Sequence, residues 1–164
     1  MELMEVIAKY LFDNKEEFKE IYENIRWLIM AEDRFSGWKA PEINECELTK
    51  YNWLVQNKDG LDLGYKTDIG AFTYINAKNK VVIEDEVQIG SHCSIYSIST
   101  IDNKEGQVTL KKNCRIGTHS VVMPGVTVGE NSVIGAFSFV NEDIPDNVVA
   151  FGVPAKVQRK LEDD

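Results

Sequence analysis

The sequence predicts an all-β chain, a parallel β-helix with an N-terminal α-helical cap, and three observations lead to it. An aliphatic residue recurs at six-residue steps: Leu63, Ile69 and Ile75, then Ile83, Ile89 and Ile95, then Leu110, Ile116, Val122, Val128, Ile134 and Val140. From Ile69 onward, a small or β-branched residue stands two positions before each, as at Thr67, Cys93, Cys114, Ser120 and Ser138. Glycine often follows the aliphatic, at Gly64, Gly70, Gly90, Gly117, Gly129 and Gly135. A period of six with two inward positions is not helical. It fits short parallel strands joined by tight turns, each aliphatic stacking on its counterpart one coil away.

The elements follow in order. Residues 2 to 32 read as helix, because Val6, Ile7, Tyr10, Leu11, Phe18, Ile21, Ile25 and Leu28 recur at helical spacing between charges. Asn14 is placed to cap a second helix, whose first turn carries Glu16 and Glu17. Residues 33 to 60 are irregular, with Gly37, Pro41 and Gly60 and one strand candidate, Trp53 to Gln56. The front segment, 1–60, is therefore expected to be a cap and lead-in, since repeat arrays need covered ends. The β-helix is expected over 61–148 and a separate tail over 149–164.

Two spacings break the period. Ile75 to Ile83 is eight residues, a two-residue bulge at Asn79-Lys80, and Ile95 to Leu110 is fifteen, an inserted loop near 97–107. Counting Ile101 as a repeat position would shorten that loop. The outward side chains choose between the registers. With the long loop, the residue three after the aliphatic is Lys66, Glu86, Asn113 and Asn131 in one column and Phe72, His92, His119 and Phe137 in another. The second column is too apolar to face water, so it predicts an interface. The short loop scatters these residues.

Composition narrows the function. The 164 residues suffice for one domain with a real core, and the formal net charge of −9 argues against nucleic acid and anionic membrane surfaces. No apolar run reaches transmembrane length, and the acidic, amphipathic start is unlike a signal peptide, so a cytoplasmic location is expected. Cys46, Cys93 and Cys114 have no metal-type or redox-type spacing, and the last two fall in the small-residue column. An anionic ligand needs a local basic cluster or backbone amides; Lys156, Arg159 and Lys160 form such a cluster.

The repeat, and the closing stretch IGTHSVVMPGVTVGENSVIGAFSFVNEDIPDNVVAFGVPAKVQRKL over residues 116 to 161, resemble the hexapeptide-repeat acyltransferases. The likeness is to galactoside, maltose and xenobiotic acetyltransferases and to sugar-nucleotide N-acyltransferases. It implies a left-handed coil of three hexapeptides per turn, a homotrimer with sites between subunits, and acetyl-CoA or another acyl-CoA as co-substrate. It also implies pantetheine contacts at Thr118 and Ala136 with Asn141 nearby, and contacts to the nucleotide end of CoA from Lys156 and Arg159. IGAFTYINA (residues 69 to 77) resembles the stretch that supplies an aromatic and an asparagine to the acceptor pocket, here Tyr74 and Asn76; Tyr74 also reads as interface packing.

The family's catalytic histidine falls at Thr100, and the loop SISTIDNKEGQ contains none. The chain's two histidines, His92 and His119, occupy one outward column on adjacent coils and are the candidates for a base, His92 ranking first beside the loop. Asp102 and Glu105 in the loop could orient an imidazole or a substrate amine. The missing loop histidine points toward acyl transfer to an amine, which needs little activation, on a nucleotide-linked amino sugar. A hydroxyl acceptor is the alternative, and so is a non-catalytic β-helix for assembly or binding. The γ-type carbonic anhydrases share the fold but need three histidine ligands, so no metal is expected.

Overall fold

Alternation of one inward aliphatic with one outward residue gives strands of two or three residues, too short to form a flat sheet alone. They gain partners by stacking coil upon coil. The computed structural model describes residues 37–161; the helices expected within 2 to 32 lie outside them. The chain from Lys39 onward forms a parallel β-solenoid with three faces. The first face holds Leu54–Gln56, Tyr74–Asn76, Ser94–Tyr96, Val121–Val122 and Phe139–Val140. The second holds Leu61–Leu63, Val81–Ile83, Val108–Leu110 and Thr127–Val128. The third holds Asp68–Ile69, Gln88–Ile89, Arg115–Ile116, Val133–Ile134 and Val148–Gly152, closed by the antiparallel strand Ala155–Lys160.

Pairing follows the longer loop. Leu110 lies between Ile83 and Val128, Val122 pairs with Ile95, and Ile116 pairs with Ile89. Ile101, the repeat position of the rejected register, is 97% exposed. The inserted loop forms its own antiparallel pair, Ile98–Ser99 with Lys104–Glu105. The solenoid begins before residue 61: Leu54–Gln56 pairs in register with Tyr74–Asn76 as part of the first coil, and Trp53 is buried beside it.

The outward columns occupy the corners between faces, not the faces themselves. Lys66, Glu86, Asn113, Asn131 and Asn147, and on the next edge Phe72, His92, His119 and Phe137, all have φ between 55° and 63°. That left-handed conformation is uncommon for residues bearing a Cβ and costs about 1–2 kcal/mol each. It is offset by stacking. From Phe72 onward each corner N–H bonds the coil before it, as His119 N to Ser91 O (3.1 Å) and Phe137 N to Thr118 O (2.9 Å). On the polar edge Asn113 donates to Asn131 at 2.9 Å and Asn131 to Asn147 at 3.0 Å.

The core is a column of aliphatics, Val55, Ile75, Ile95, Val122 and Val140 on the first face, with equivalents on the others. The small-residue positions lie inside the corners, where Ser120 bonds Gly135 O and Ser132 bonds Pro145 O. Cys93 and Cys114 are buried there and unpaired. Burial pushes the Cys114 thiol up to about 12, which leaves it inert as a nucleophile. Gly117 shows how closely coils approach: a Cβ there would stand 2.4 Å from Ala136 N.

Candidate active site

Three groups of side chains emerge, each placed by a different part of the coil. The first surrounds a cavity of about 850 Å³ where the first face turns into the inserted loop. Tyr74, Asn76 and Asp102 all line it, with Thr100. Tyr74 donates its hydroxyl to Gln56 Oε1, and Asn76 Nδ2 reaches the same oxygen at 3.2 Å. Asn57 Nδ2 bonds Asn76 Oδ1 at 3.1 Å, and the Tyr74 and Tyr96 rings lie 5.6 Å apart. Burial pushes the Tyr74 phenol up, so it remains a neutral donor. Asp102 is held below the usual carboxylate range, chiefly by a hydrogen bond from Ser99, and pairs with Lys104 at 3.3 Å. Glu105 points to Asn79, whose Nδ2 donates to its carboxylate at 3.0 Å.

Sequence reasoning missed Gln56, Asn57, Tyr96, Met123 and Phe139 in this lining. A signal for Gln56 was present. Val55 precedes Ile75 by twenty residues, as Ile75 precedes Ile95, and Val55 to Leu63 repeats the eight-residue step of Ile75 to Ile83. Counting that coil would have put Gln56 in one column with Asn76 and Tyr96, which is where register places it.

The second group is the corner column. The rings of Phe72, His92, His119 and Phe137 stack at successive centroid distances of 5.1, 4.8 and 4.8 Å, with the two imidazoles 5° from parallel. Phe72 and Phe137 are 61% and 66% exposed. Thr118 Oγ1 donates to Ser91 O at 2.7 Å and lies 2.9 Å from His119 Nδ1. Ser91 O also accepts the His119 backbone N–H at 3.1 Å, and the direction of the Thr118–His119 contact depends on the ring's tautomer. Ala136 occupies the same corner one coil on from Thr118.

The column and the cavity flank opposite edges of the first face. The strand between them, Ser94–Tyr96, spans about 10 Å, so neither histidine lines its own chain's cavity. The inserted loop departs from the far edge, away from His92 rather than beside it.

The third group lies on the closing hairpin. Lys156 and Arg159 are three residues apart, which in a regular strand sends side chains to opposite sides. Here Val157 pairs with Ala150 and Arg159 with Val149, leaving Gln158 as a bulge. Lys156 opposite Phe151 and Arg159 opposite Val149 therefore share one side. The basic tail is thus a strand. Lys156 pairs with Glu142 at 2.8 Å, and Asn141 is exposed just before that glutamate. The hairpin abuts the corner column, since Gly152 N donates to Ser138 Oγ at 3.2 Å and Phe151 packs on Gly135.

Residues 107–142 match the bacterial transferase hexapeptide (six repeats) family, and that segment spans Thr118, His119, Ala136 and Asn141. The chain carries the hexapeptide repeat that this family model describes. Galactoside O-acetyltransferases from Lactococcus lactis and Escherichia coli are similar to it at 37% and 39% identity over 115 residues. Those alignments take in 61% of this chain and 56% and 57% of the two relatives, so the hexapeptide-repeat chain spans just over half of their length. Among solved structures, a galactoside acetyltransferase in complex with coenzyme A superposes with a TM-score of 0.61 at 31% identity, covering 67% of this chain and 60% of that one. A hexapeptide-repeat acetyltransferase from Vibrio cholerae complexed with acetyl coenzyme A gives 0.66 at 25% identity, covering 74% and 70%. Among the described residues, no helix of this hexapeptide-repeat chain is long and apolar enough to cross a membrane.

Proposed function

We propose that this protein transfers an acetyl or other small acyl group from CoA to a hydroxyl or amino group of a sugar-like acceptor. The observation that carries the reading is the cavity: an aromatic and linked amides beside the loop that holds Thr100, on a coil whose relatives include galactoside O-acetyltransferases. Neutral amides and a phenol suit the hydroxyls of a saccharide. For a nucleotide-linked acceptor the lining offers one cation, Lys78, against the several charges of a diphosphate, so the support there is weaker. A thiol-release assay with acetyl-CoA and a panel of galactosides, maltose, amino sugars and nucleotide-linked amino sugars tests the reading. Turnover with one class of sugar supports it. CoA binding without turnover on any acceptor favours a binding subunit instead.

The working assembly is a homotrimer, in which a neighbour's corner column closes over the cavity. The acceptor oxygen or nitrogen attacks the thioester carbonyl and passes its proton to His119 Nε2. The C–S bond breaks, and the departing sulfur takes the proton as free CoA forms. Backbone N–H groups stabilise the oxyanion. The contact of Thr118 Oγ1 with His119 Nδ1 puts His119 ahead of His92 in this role. Thr118, Ala136 and Asn141 would run beside the pantetheine arm. Three unpaired cysteines suit a reducing compartment and a cytoplasmic enzyme.

Two results are expected. Sedimentation should give a trimer at micromolar concentration, and Phe137→Asp, which puts a charge into the stacked column, should yield monomer. A stable monomeric parent would overturn the placement of the site between subunits. Replacing Lys156 and Arg159 together by alanine should weaken CoA binding by about ten- to a hundredfold at low salt, in line with charge-assisted bonds made in partial competition with Glu142. Parental affinity would put the nucleotide end of CoA elsewhere.

A further inference from the structure

The polar wall of the cavity has a single direction, set by a group that can be read only one way. The backbone N–H of Lys78 is a donor, and it meets the Asn76 side chain at 3.2 Å, so the atom there is Oδ1. Asn57 Nδ2 arrives at the same oxygen. The other end of Asn76 is then NH₂, and it faces Gln56 at 3.2 Å, which makes the receiving atom Gln56 Oε1. Tyr74 donates its hydroxyl to that oxygen as well. The Gln56 carbonyl is thereby used twice. Gln56 lines the cavity, and its NH₂ has no protein acceptor among the described residues.

We propose that Gln56 is a specificity-determining residue: its NH₂ is a fixed donor to a neutral oxygen of the acceptor and disfavours a cationic amine at that point. The proposal rests on reading the cavity as the acceptor site. The support beneath it is rigid, since the Glu45 carboxylate accepts the N–H groups of Asn57 at 2.7 Å and Lys58 at 2.9 Å and holds the turn that follows Gln56. Nor does the lining offer an ammonium a free carboxylate. Its one carboxylate, Asp102, is already engaged by Ser99 and Lys104. A donor facing an ammonium leaves both unsatisfied, and sites built for one hydrogen-bond polarity discriminate strongly against the other.

Gln56→Glu is the test, because it is isosteric and changes one polarity. One carboxylate oxygen keeps the donors Tyr74 and Asn76, while the other becomes an acceptor. The probes are galactose and galactosamine, which differ by one hydroxyl against one ammonium, measured by calorimetric binding and by turnover with acetyl-CoA. The parent should prefer galactose. In Gln56→Glu the preference ratio should shift toward galactosamine by about a hundredfold, with the KM for acetyl-CoA unchanged. Gln56→Leu should weaken both sugars alike. An unchanged ratio in folded Gln56→Glu overturns the role of Gln56. Sugar binding with the expected shift but no thiol release overturns the transferase reading alone, and a parent that binds neither sugar overturns both.

Discussion

Replacing His119 by alanine is expected to lower kcat by about 10²–10⁴, the usual contribution of a general base, while the affinity for CoA changes little. The expectation follows from the anchoring of the ring at the corner: Thr118 Oγ1, itself bonded to Ser91 O, lies 2.9 Å from His119 Nδ1. His92 has the same stacked position but no partner of this kind among the described contacts. His92→Ala should therefore cost less, through loss of stacking under His119. His119→Asn keeps a donor for Thr118 and removes the base, so it should be nearly as slow as alanine and should sediment like the parent. If all three variants retain near-parental turnover between about pH 6 and 9, where a histidine base titrates, the acceptor attacks unaided.

Leu110→Ala should destabilise the fold by about 2–5 kcal/mol, seen as a lower denaturant midpoint. Leu110 is fully buried on a middle coil between Ile83 and Val128, and hydrogen bonds above and below hold the coil spacing near the usual 4.8 Å. The coils cannot settle into the space left behind, so the cavity persists. Ile101→Ala is the companion measurement. With its side chain in solvent at the tip of the inserted loop, it should change stability by less than about 0.5 kcal/mol. Equal effects at the two positions would mean that the register between Ile95 and Leu110 is wrong.

That register shows how much was legible before any coordinates. The order Ile95, Leu110, Ile116 was chosen because it alone brought Phe72, His92, His119 and Phe137 into one column, and the rings do stack there. The cavity-lining residues Tyr74 and Asn76 are legible through a resemblance, and Asp102 through its place in the loop. Gln56 escaped because its coil was read as lead-in: Trp53 and Asn57-Lys58 interrupt the small-residue pattern that marks the later coils. The ranking of His92 over His119 rests on distance along the chain to the loop, whereas in the solenoid the three residues Ser94–Tyr96 separate the column's edge from the edge where the loop departs.

By itself, the sequence determined the repeat, its interruptions and the residues of each column. Those are consequences of burial, and burial is written as a period: a six-residue step leaves no other way to hide Ile69, Ile89, Ile116 and Ile134 together. What only the tertiary structure decided are directions and polarities. A bulge at Gln158 puts Lys156 and Arg159 on one side of the hairpin. Stacking of coils brings Thr118 Oγ1 within 2.9 Å of His119 Nδ1, and one backbone N–H, from Lys78, orients Asn76 and through it Gln56. Hydrophobic burial is nondirectional and leaves its trace in composition and spacing. Hydrogen bonds depend on angle and on which partner holds the proton, and that is settled only when distant parts of the chain have been brought within 3 Å or so of each other.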